Sequence, residues 1–523
     1  MDITENINNK SAEELKDIIF HLQNNLLKNE KALEEKEKLI SNNKTLIHSL
    51  YEQLKLARHH RFASRSEKVQ EDDHPQALLF DEATPCDSES KTVIEQADEA
   101  ITVASYTRKK TGRKPLPKEL PREQRIYDLS DDEKVCGCGC ELTHISDEKS
   151  EQLEYIPAKT FVIEHIRKKY ACKQCEQTIK TAPAPKQPLP KSIAAPGLLA
   201  HIIVSKYTDH LPLYRQETIL QRSGIDIPRA TLCNWVIGCA TLLSPLIKLM
   251  QSNIEHYDIA YADETTIQVL KEPGRKPENK SYMWCFGGGP PEQFNCIYHY
   301  QSSRSHEVPL HYLEQFKGYL HCDGYQAYDV LAAKSNLTLV GCWYHARRKF
   351  VEASKVSKKS GLADYALKIF ASLAKIEKTI KQQSAQDRFH YRQKKALPLI
   401  DKFKTWLEKQ LPCVPAMSLI GKAISYTLKQ WPKLINYLKD GRLDISNNKL
   451  ERCIKPFALS RKNWLFADSV AGANAAATLF SLLQTCQLHN INPYDYLRHV
   501  LTHIPNAQTI EQLEALLPYN VKL

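Results

Sequence analysis

Between residues 255 and 345 the sequence changes its hydrophobic period again and again, and that succession limits the possible folds more than any other feature. EHYDIAYADETTIQVL is rich in β-branched and aromatic residues, as a strand requires. SYMWCFGG and FNCIYHYQSS read as two more strands, which completes a meander of three. HEVPLHYLEQF, residues 306–316, returns to a helical period. KGYLHCDGY is a fourth strand ending on Asp323, and TLVGCWYH is a fifth. Three antiparallel strands followed by helix, strand, helix and strand specify a mixed α/β unit around one sheet.

This order resembles that of ribonuclease-H-like cores, and strand geometry decides which acids can meet in it. Successive side chains of a strand face opposite ways. Asp263 and Glu264 therefore cannot both address one site, and Asp263 shares its face with Tyr261 and Thr265. Asp323 stands at the end of the neighbouring fourth strand, just before Gly324. Two desolvated carboxylates side by side repel, and one is driven to protonate. A divalent cation reverses that logic, and oxygen-only ligation with open water positions suits Mg²⁺ or Mn²⁺. A long helical stretch, about 346–440, follows His345. Next comes DGRLDISNNKLERCIKPFALSRKNWLFADS, where Ser446 or Asn447 can cap a helix running to about Lys455. Asn447, Asn448, Glu451 and Lys455 then share one face. Glu451 can supply a third carboxylate, with Arg461 and Lys462 placed to hold a DNA backbone. Taken singly, each acid is more often an ion-pair partner or a surface residue than a metal ligand.

The N-terminal half reads as a series of interaction modules. Over residues 12–58, Leu15, Ile19, Leu22, Leu26, Leu33, Ile40, Ile47, Leu50, Leu54 and Ala57 recur at coiled-coil spacing, interrupted by Asn29, Lys36 and Asn43. The alternative is an amphipathic helix packed on its own protein. Residues 70–106 are acidic, Ser-rich and aperiodic, as a disordered linker is. TRKKTGRKPLP follows, either as a charged linker or as an extended arm able to place Arg113 and Lys114 in a minor groove. Cys172 and Cys175 have the CxxC spacing of a tetrahedral zinc site, and two of Cys136, Cys138 and Cys140 can complete it, with Cys136 and Cys140 favoured. The segment before Cys172 alternates like two short strands. Reduced, buried thiols are the other reading. YRQETILQRSGIDIPRATLCNWVIGCA reads as helix, Gly224 turn and helix, with Pro228 at the second start and Arg229, Thr231 and Asn234 exposed. Such a pair can enter a major groove, although many helical hairpins bind nothing.

The formal charge of +11 suits a polyanionic partner. With 15 cysteines, no signal-like N-terminus and no run of about 18 apolar residues, the expectation is a cytoplasmic protein with reduced thiols and no membrane partner.

The stretches SEQLEYIPA, LLAHIIVSKYTDHLPLYRQE, ADETTIQVL, HCDGYQAY, CWYHARRKF, DGRLDISNNKLERCIKPFALSRKNWLFA and LEALLPYN resemble the insertion sequence 66 family of bacterial transposases. The resemblance runs from the coiled coil to the C-terminus. It implies a DDE triad with the first Asp at Asp263, the second at Asp323 and the Glu at Glu451, spaced by 60 and 128 residues. The second gap fits a helical insertion. The family's Cys-Trp-x-His-x-Arg-Arg element falls on Cys342, Trp343, His345, Arg347 and Arg348. Arg347 and Arg348 are taken as DNA contacts, and His345 either touches DNA, shapes the site or simply packs.

The implied organisation is multidomain α/β. A coiled-coil helix with a basic end spans 1–68, and an acidic linker with its basic arm spans 69–120. A zinc-ribbon-like unit covers 121–187 and a helix-turn-helix region 188–250. A ribonuclease-H-like core covers 251–475, with the insertion at 346–440, and a helical tail covers 476–523. The implied function is binding of double-stranded DNA at terminal inverted repeats, then cleavage and transfer into target DNA by two-metal phosphoryl transfer. Zn²⁺ would be structural, the coiled coil would pair protomers, and accessory proteins of the same element are possible partners. Rival readings are a catalytically silent DNA-binding derivative, or a nuclease or resolvase without strand transfer.

Overall fold

A computed structural model describes residues 12–62, 160–171, 179–335, 337–356 and 361–523. The chain divides into two units, Met1–Glu82 with Pro185–Leu523, and Ala83–Ala184. The larger unit begins with α1 (Ala12–Phe62), a single continuous helix. Its seam residues Ile19, Leu26, Leu33, Ile40, Ile47, Leu50 and Leu54 are 48–63% exposed, so the apolar stripe has no cover among the described residues. Only the C-terminal part of α1 is tied down. The buried Ser49 hydroxyl donates to the Met417 carbonyl at 3.1 Å, and the Glu52 carboxylate accepts the Leu419 N–H at 2.9 Å.

In the smaller unit, β1 (Lys169–Ala171) pairs antiparallel with β2 (Ile179–Thr181), Lys169 opposite Thr181. The two strands flank Cys172 and Cys175 in the sequence. Of the segment expected to hold two strands before Cys172, residues 150–159 lie outside the described residues, 160–168 form no strand and 169–171 form β1. Phe161, Val162, Ile163 and Ile166 are all exposed there. Alternation alone does not make a strand when no neighbour takes its backbone hydrogen bonds.

The larger unit continues with α2 (Pro196–Tyr207), α3 (Leu213–Arg222) and α4 (Arg229–Glu255). The expected helix, turn and helix are present as α3 and α4. Gly224 has φ 76°, a conformation costly for any residue with a Cβ, and Pro228 occupies the N-cap of α4. α4 is the one helix among the described residues long and apolar enough to cross a membrane. Its Leu232, Trp235, Cys239, Leu243, Leu246, Met250 and Ile254 are buried in the protein core instead.

The central sheet contains β3 (Ile259–Lys271), β4 (Lys280–Gly288) and β5 (Asn295–Gln301) as an antiparallel meander. The chain then runs through α5 (Glu307–Tyr312), β6 (Gly318–Cys322), α6 (Gln326–Lys334) and β7 (Leu337–Gly341). β6 lies parallel to β3, and β7 parallel to β6, so the order is β5-β4-β3-β6-β7. Gly318 opens β6 at φ 126°, and a Cβ there would come within 2.3 Å of the Asp258 carbonyl. Only glycine lets β6 dock so closely beside the start of β3.

A helical array follows: α7 (Trp343–Val356), α8 (Leu362–Ile380), α9 (Ala385–Tyr391), one π-helical turn at Arg392–Ala396, α10 (Leu397–Gln410) and α11 (Leu419–Leu434). The chain returns to the sheet with α12 (Asn448–Trp464) and β8 (Ala467–Ser469), which pairs parallel with β3. It ends in α13 (Val470–Leu488), α14 (Pro493–His503) and α15 (Ile510–Glu514). α12 and α13 pack on the sheet, and α14 packs against α2.

Candidate active site

β3 has a gap along one edge. β6 covers it only over Ile259–Tyr261, and β8 only at Val269 and Lys271. The backbone groups between must find other partners. The Ala262 carbonyl accepts from the Asn447 side-chain amide at 3.2 Å. The Glu264 N–H donates to the Asp263 carboxylate at 2.8 Å. The Thr266 carbonyl accepts from Arg461, whose guanidinium also donates to the Thr266 hydroxyl at 2.9 Å. Both Asn447 and Arg461 come from α12 and its N-cap, so the edge that lacks a strand is sealed by a helix.

Asp263 stands within this gap, and the charges of Asp323 and Glu451 reach it. Tyr261 lies opposite His321 in the β3–β6 register, and their rings stack with centroids 4.5 Å apart. Two residues further on stand Asp263, within β3, and Asp323, just past the end of β6. Asp323 leaves β6 and turns, its Oδ1 accepting the Tyr325 N–H at 2.9 Å. Glu451 comes from the first turn of α12. Burial pushes the Asp263 carboxyl well above its ordinary value; Glu264, Asp323 and Glu451 push the same way, and the Glu264 N–H opposes them.

Glu264 faces elsewhere, as alternation requires. Its side chain is buried and accepts from Arg304 Nε at 2.8 Å and from the Tyr328 hydroxyl at 3.0 Å; burial and Asp323 still push its carboxyl above the ordinary value, while Arg304 and Tyr328 pull the other way.

The junction of β7 with α7 borders the site. The Trp343 N–H donates to the Ile445 carbonyl at 3.1 Å, and the Asn447 N–H to Cys342 Sγ at 3.3 Å. This brings His345 beside Glu451, with Nδ1 3.7 Å from Oε1. That distance exceeds a hydrogen bond, and both atoms are buried without a hydrogen-bond partner. Burial holds the His345 ring below its ordinary pKa despite the pull of Glu451. Arg348 is exposed and close enough to bias His345 electrostatically, whereas Arg347 is half-buried.

One expectation about α12 is corrected, since the helix runs past Lys455 to Trp464. Of the two capping candidates, the Ser446 hydroxyl accepts the Asn448 N–H at 3.4 Å, while Asn447 occupies the N-cap without capping through its side chain, which is held by β3. Arg461 is likewise held by β3, so its guanidinium positions α12 instead of standing free for a phosphate; Lys462 beside it is exposed. Arg229 and Asn234 are exposed at the start of α4. Arg113, Lys114, Cys136, Cys138, Cys140, Cys172 and Cys175 lie outside the described residues.

Three residues of the site had not been singled out: His321, Asp444, which accepts from the Tyr261 hydroxyl at 2.6 Å, and Arg304. Asp444 carried a signal, being an acid just ahead of Glu451 in LDISNN, but nothing in the sequence pairs it with Tyr261.

The donor set fits a hard divalent cation. Asp263 feels the charges of Asp323 and Glu451, burial and then its acidic neighbours drive it toward protonation, and Glu451 Oε1 lacks a hydrogen-bond partner.

Comparison with known proteins places this arrangement. A family model described as Transposase IS66 family matches residues 191–475. The IS66 C-terminal element matches 481–519, and the zinc-finger binding domain of transposase IS66 matches 133–176, a span that includes all five clustered cysteines. A further model, Transposase C of IS166 homeodomain, matches 49–125. Among curated relatives from Sinorhizobium fredii (strain NBRC 101917 / NGR234), the protein y4jD is 37% identical over 423 residues, covering 78% of this chain and 81% of that protein. The y4hP protein is 33% identical over 454 residues, covering 82% and 81%. The y4qI protein is 32% identical over 459 residues, covering 83% and 84%. All three carry the name "Uncharacterized protein".

Proposed function

The chain belongs to the IS66 family of transposases, and from that premise we propose that it cuts and joins DNA with Asp263, Asp323 and Glu451 as its catalytic carboxylates. The observation that supports this reading is that the charges of Asp323 and Glu451 both act on Asp263, although Glu451 lies 128 residues beyond Asp323. The sheet order β5-β4-β3-β6-β7 supports a ribonuclease-H-like core.

Asp263 and Asp323, with Glu451 opposite, would hold Mg²⁺ or Mn²⁺. Bound there, the cations supply charge stabilisation at the phosphorus and a nucleophile at neutral pH. The protein's own contribution is positional. Asn447 and Arg461 fix α12 across β3, which sets the reach of Glu451. Tyr261, held by Asp444, backs Asp263. Arg304 and Tyr328 hold Glu264 out of the site, so the number of competing carboxylates is limited.

Recognition is assigned to the other modules. Arg229 and Asn234 at the start of α4 would meet the terminal inverted repeats, and Arg113 and Lys114 an adjacent minor groove. Arg348, Lys462 and the partly buried Arg347 would lie along the DNA backbone entering the site. Zinc on Cys172, Cys175 and two of Cys136, Cys138 and Cys140 would fold the small unit. The uncovered seam of α1 would pair protomers, bringing two DNA ends into one complex.

Asp263→Asn tests the reading. It should abolish cleavage of a terminal-repeat duplex while leaving its gel-shift affinity intact. Cleavage by this variant would remove Asp263 from the mechanism.

A further inference from the structure

Beside the three acids lies a cluster of different chemistry. Cys342 Sγ, a ring nitrogen of His345 and a carboxylate oxygen of Glu451 all lie within 4.8 Å of one another. Backbone structure holds them there. Cys342 directly follows β7, His345 sits in the first turn of α7, and Glu451 in the first turn of α12. The hydrogen bonds from Trp343 to Ile445 and from Asn447 to Cys342 fasten these junctions together.

The cluster is unfinished as a purely protein arrangement. His345 Nδ1 and Glu451 Oε1 are buried, face each other at 3.7 Å and have no hydrogen-bond partner. Leaving two such atoms unsatisfied is costly unless something sits between them. Two ligands of one ion stand at about this separation: zinc bonds of about 2.0–2.3 Å in a tetrahedron place ligand atoms roughly 3.3–3.8 Å apart. Small side-chain rotations would close the remainder. Thiolate sulfur with imidazole nitrogen selects zinc over magnesium, which takes oxygen and demands octahedral geometry.

We propose that Cys342, His345 and Glu451 form a second metal site, selective for Zn²⁺ and similar thiophilic cations, that competes with the Asp263–Asp323 pair for Glu451. Water completes the fourth position, and Cys342 releases its proton to solvent as it binds. Occupation withdraws Glu451 from the hard-cation site, so zinc inhibits the magnesium-dependent reaction reversibly. Zinc binding stands on the cluster alone; the inhibition rests on the catalytic role proposed for Glu451.

The test uses full-length protein preloaded with Zn²⁺ at its zinc-finger region, freed of excess metal and titrated with Co²⁺. One further equivalent should bind, with a thiolate-to-cobalt band in the near ultraviolet. Cys342→Ser should lose that band, and His345→Ala should weaken Co²⁺ binding by more than about tenfold. Circular dichroism checks that both variants are folded. A band that persists in folded Cys342→Ser, or no additional equivalent in the parent protein, overturns the site. In a second arm, cleavage in Mg²⁺ is titrated with Zn²⁺. The parent protein should be inhibited and Cys342→Ser should resist, whereas equal inhibition of both overturns the competition. Absence of any cleavage with the cobalt band intact would instead count against the catalytic reading.

Discussion

Asp263 and Glu264 are adjacent acids on opposite faces of β3, both pushed up by burial and by Asp323. Asp263 is buried among carboxylates, while Glu264 is held by Arg304 and Tyr328. Glu264→Gln should therefore lower stability by about 1–3 kcal/mol, the scale of a charge-assisted hydrogen bond left imperfect, and retain cleavage. Thermal unfolding and a cleavage time course check both halves; loss of cleavage with a normal melting profile would place Glu264 in the chemistry. Asn447→Ala should strand the Ala262 carbonyl, cost about 1–3 kcal/mol and slow cleavage more than it weakens end-binding. A larger loss of affinity than of rate would contradict the positioning role. At this scale the sequence was informative wherever periodicity applied. Strand alternation separates Asp263 from Glu264, and helix spacing sets Glu451 beside the asparagines. It was silent where a contact joins distant segments. Tyr261 meets Asp444, and Arg461 meets Thr266, only because α12 crosses β3.

The elements show the same division. Strands of five or more residues declare themselves by composition and period, and so do long helices. β8 has three residues and exists because β3 offers it an edge, so no local signal marks it. The end of α12 was misjudged because Pro456 cannot donate within the helix. Phe457 and Ser460 beyond it are fully buried, and that packing keeps the helix intact past the missing bond. The π-helical turn carries Arg392, whose fully buried guanidinium pairs with Glu377 at 2.6 Å and donates to the carbonyls of Tyr437, Asp440 and Leu443. It braces the segment leading into α12. Arg392→Ala leaves Glu377 and three carbonyls without that partner and should cost about 3–5 kcal/mol in a urea titration. A loss below 1 kcal/mol would show that water replaces the guanidinium without penalty.

For the whole molecule, the open seam of α1 and the acidic segment before the basic arm make the predictions. Leu26→Glu, Leu33→Glu and Ile40→Glu together should reduce the protomer count by light scattering and block joint capture of two DNA ends, with single-end binding retained. An unchanged mass would mean that α1 packs on something else. Removing residues 70–106 should raise DNA affinity at low salt and have little effect at high salt, since the acidic segment competes for the basic arm. Equal affinities at low salt would sink that competition. The seam of α1 is legible in its heptad spacing, whereas residues 70–106 lie outside the described residues. The central claim is that Asp263, Asp323 and Glu451 act as one cation-binding site, and a crystal structure with a terminal-repeat duplex and Mn²⁺ tests it most directly. The account predicts anomalous manganese density between these three carboxylates beside the bound DNA; manganese held elsewhere, or none between them, would contradict it.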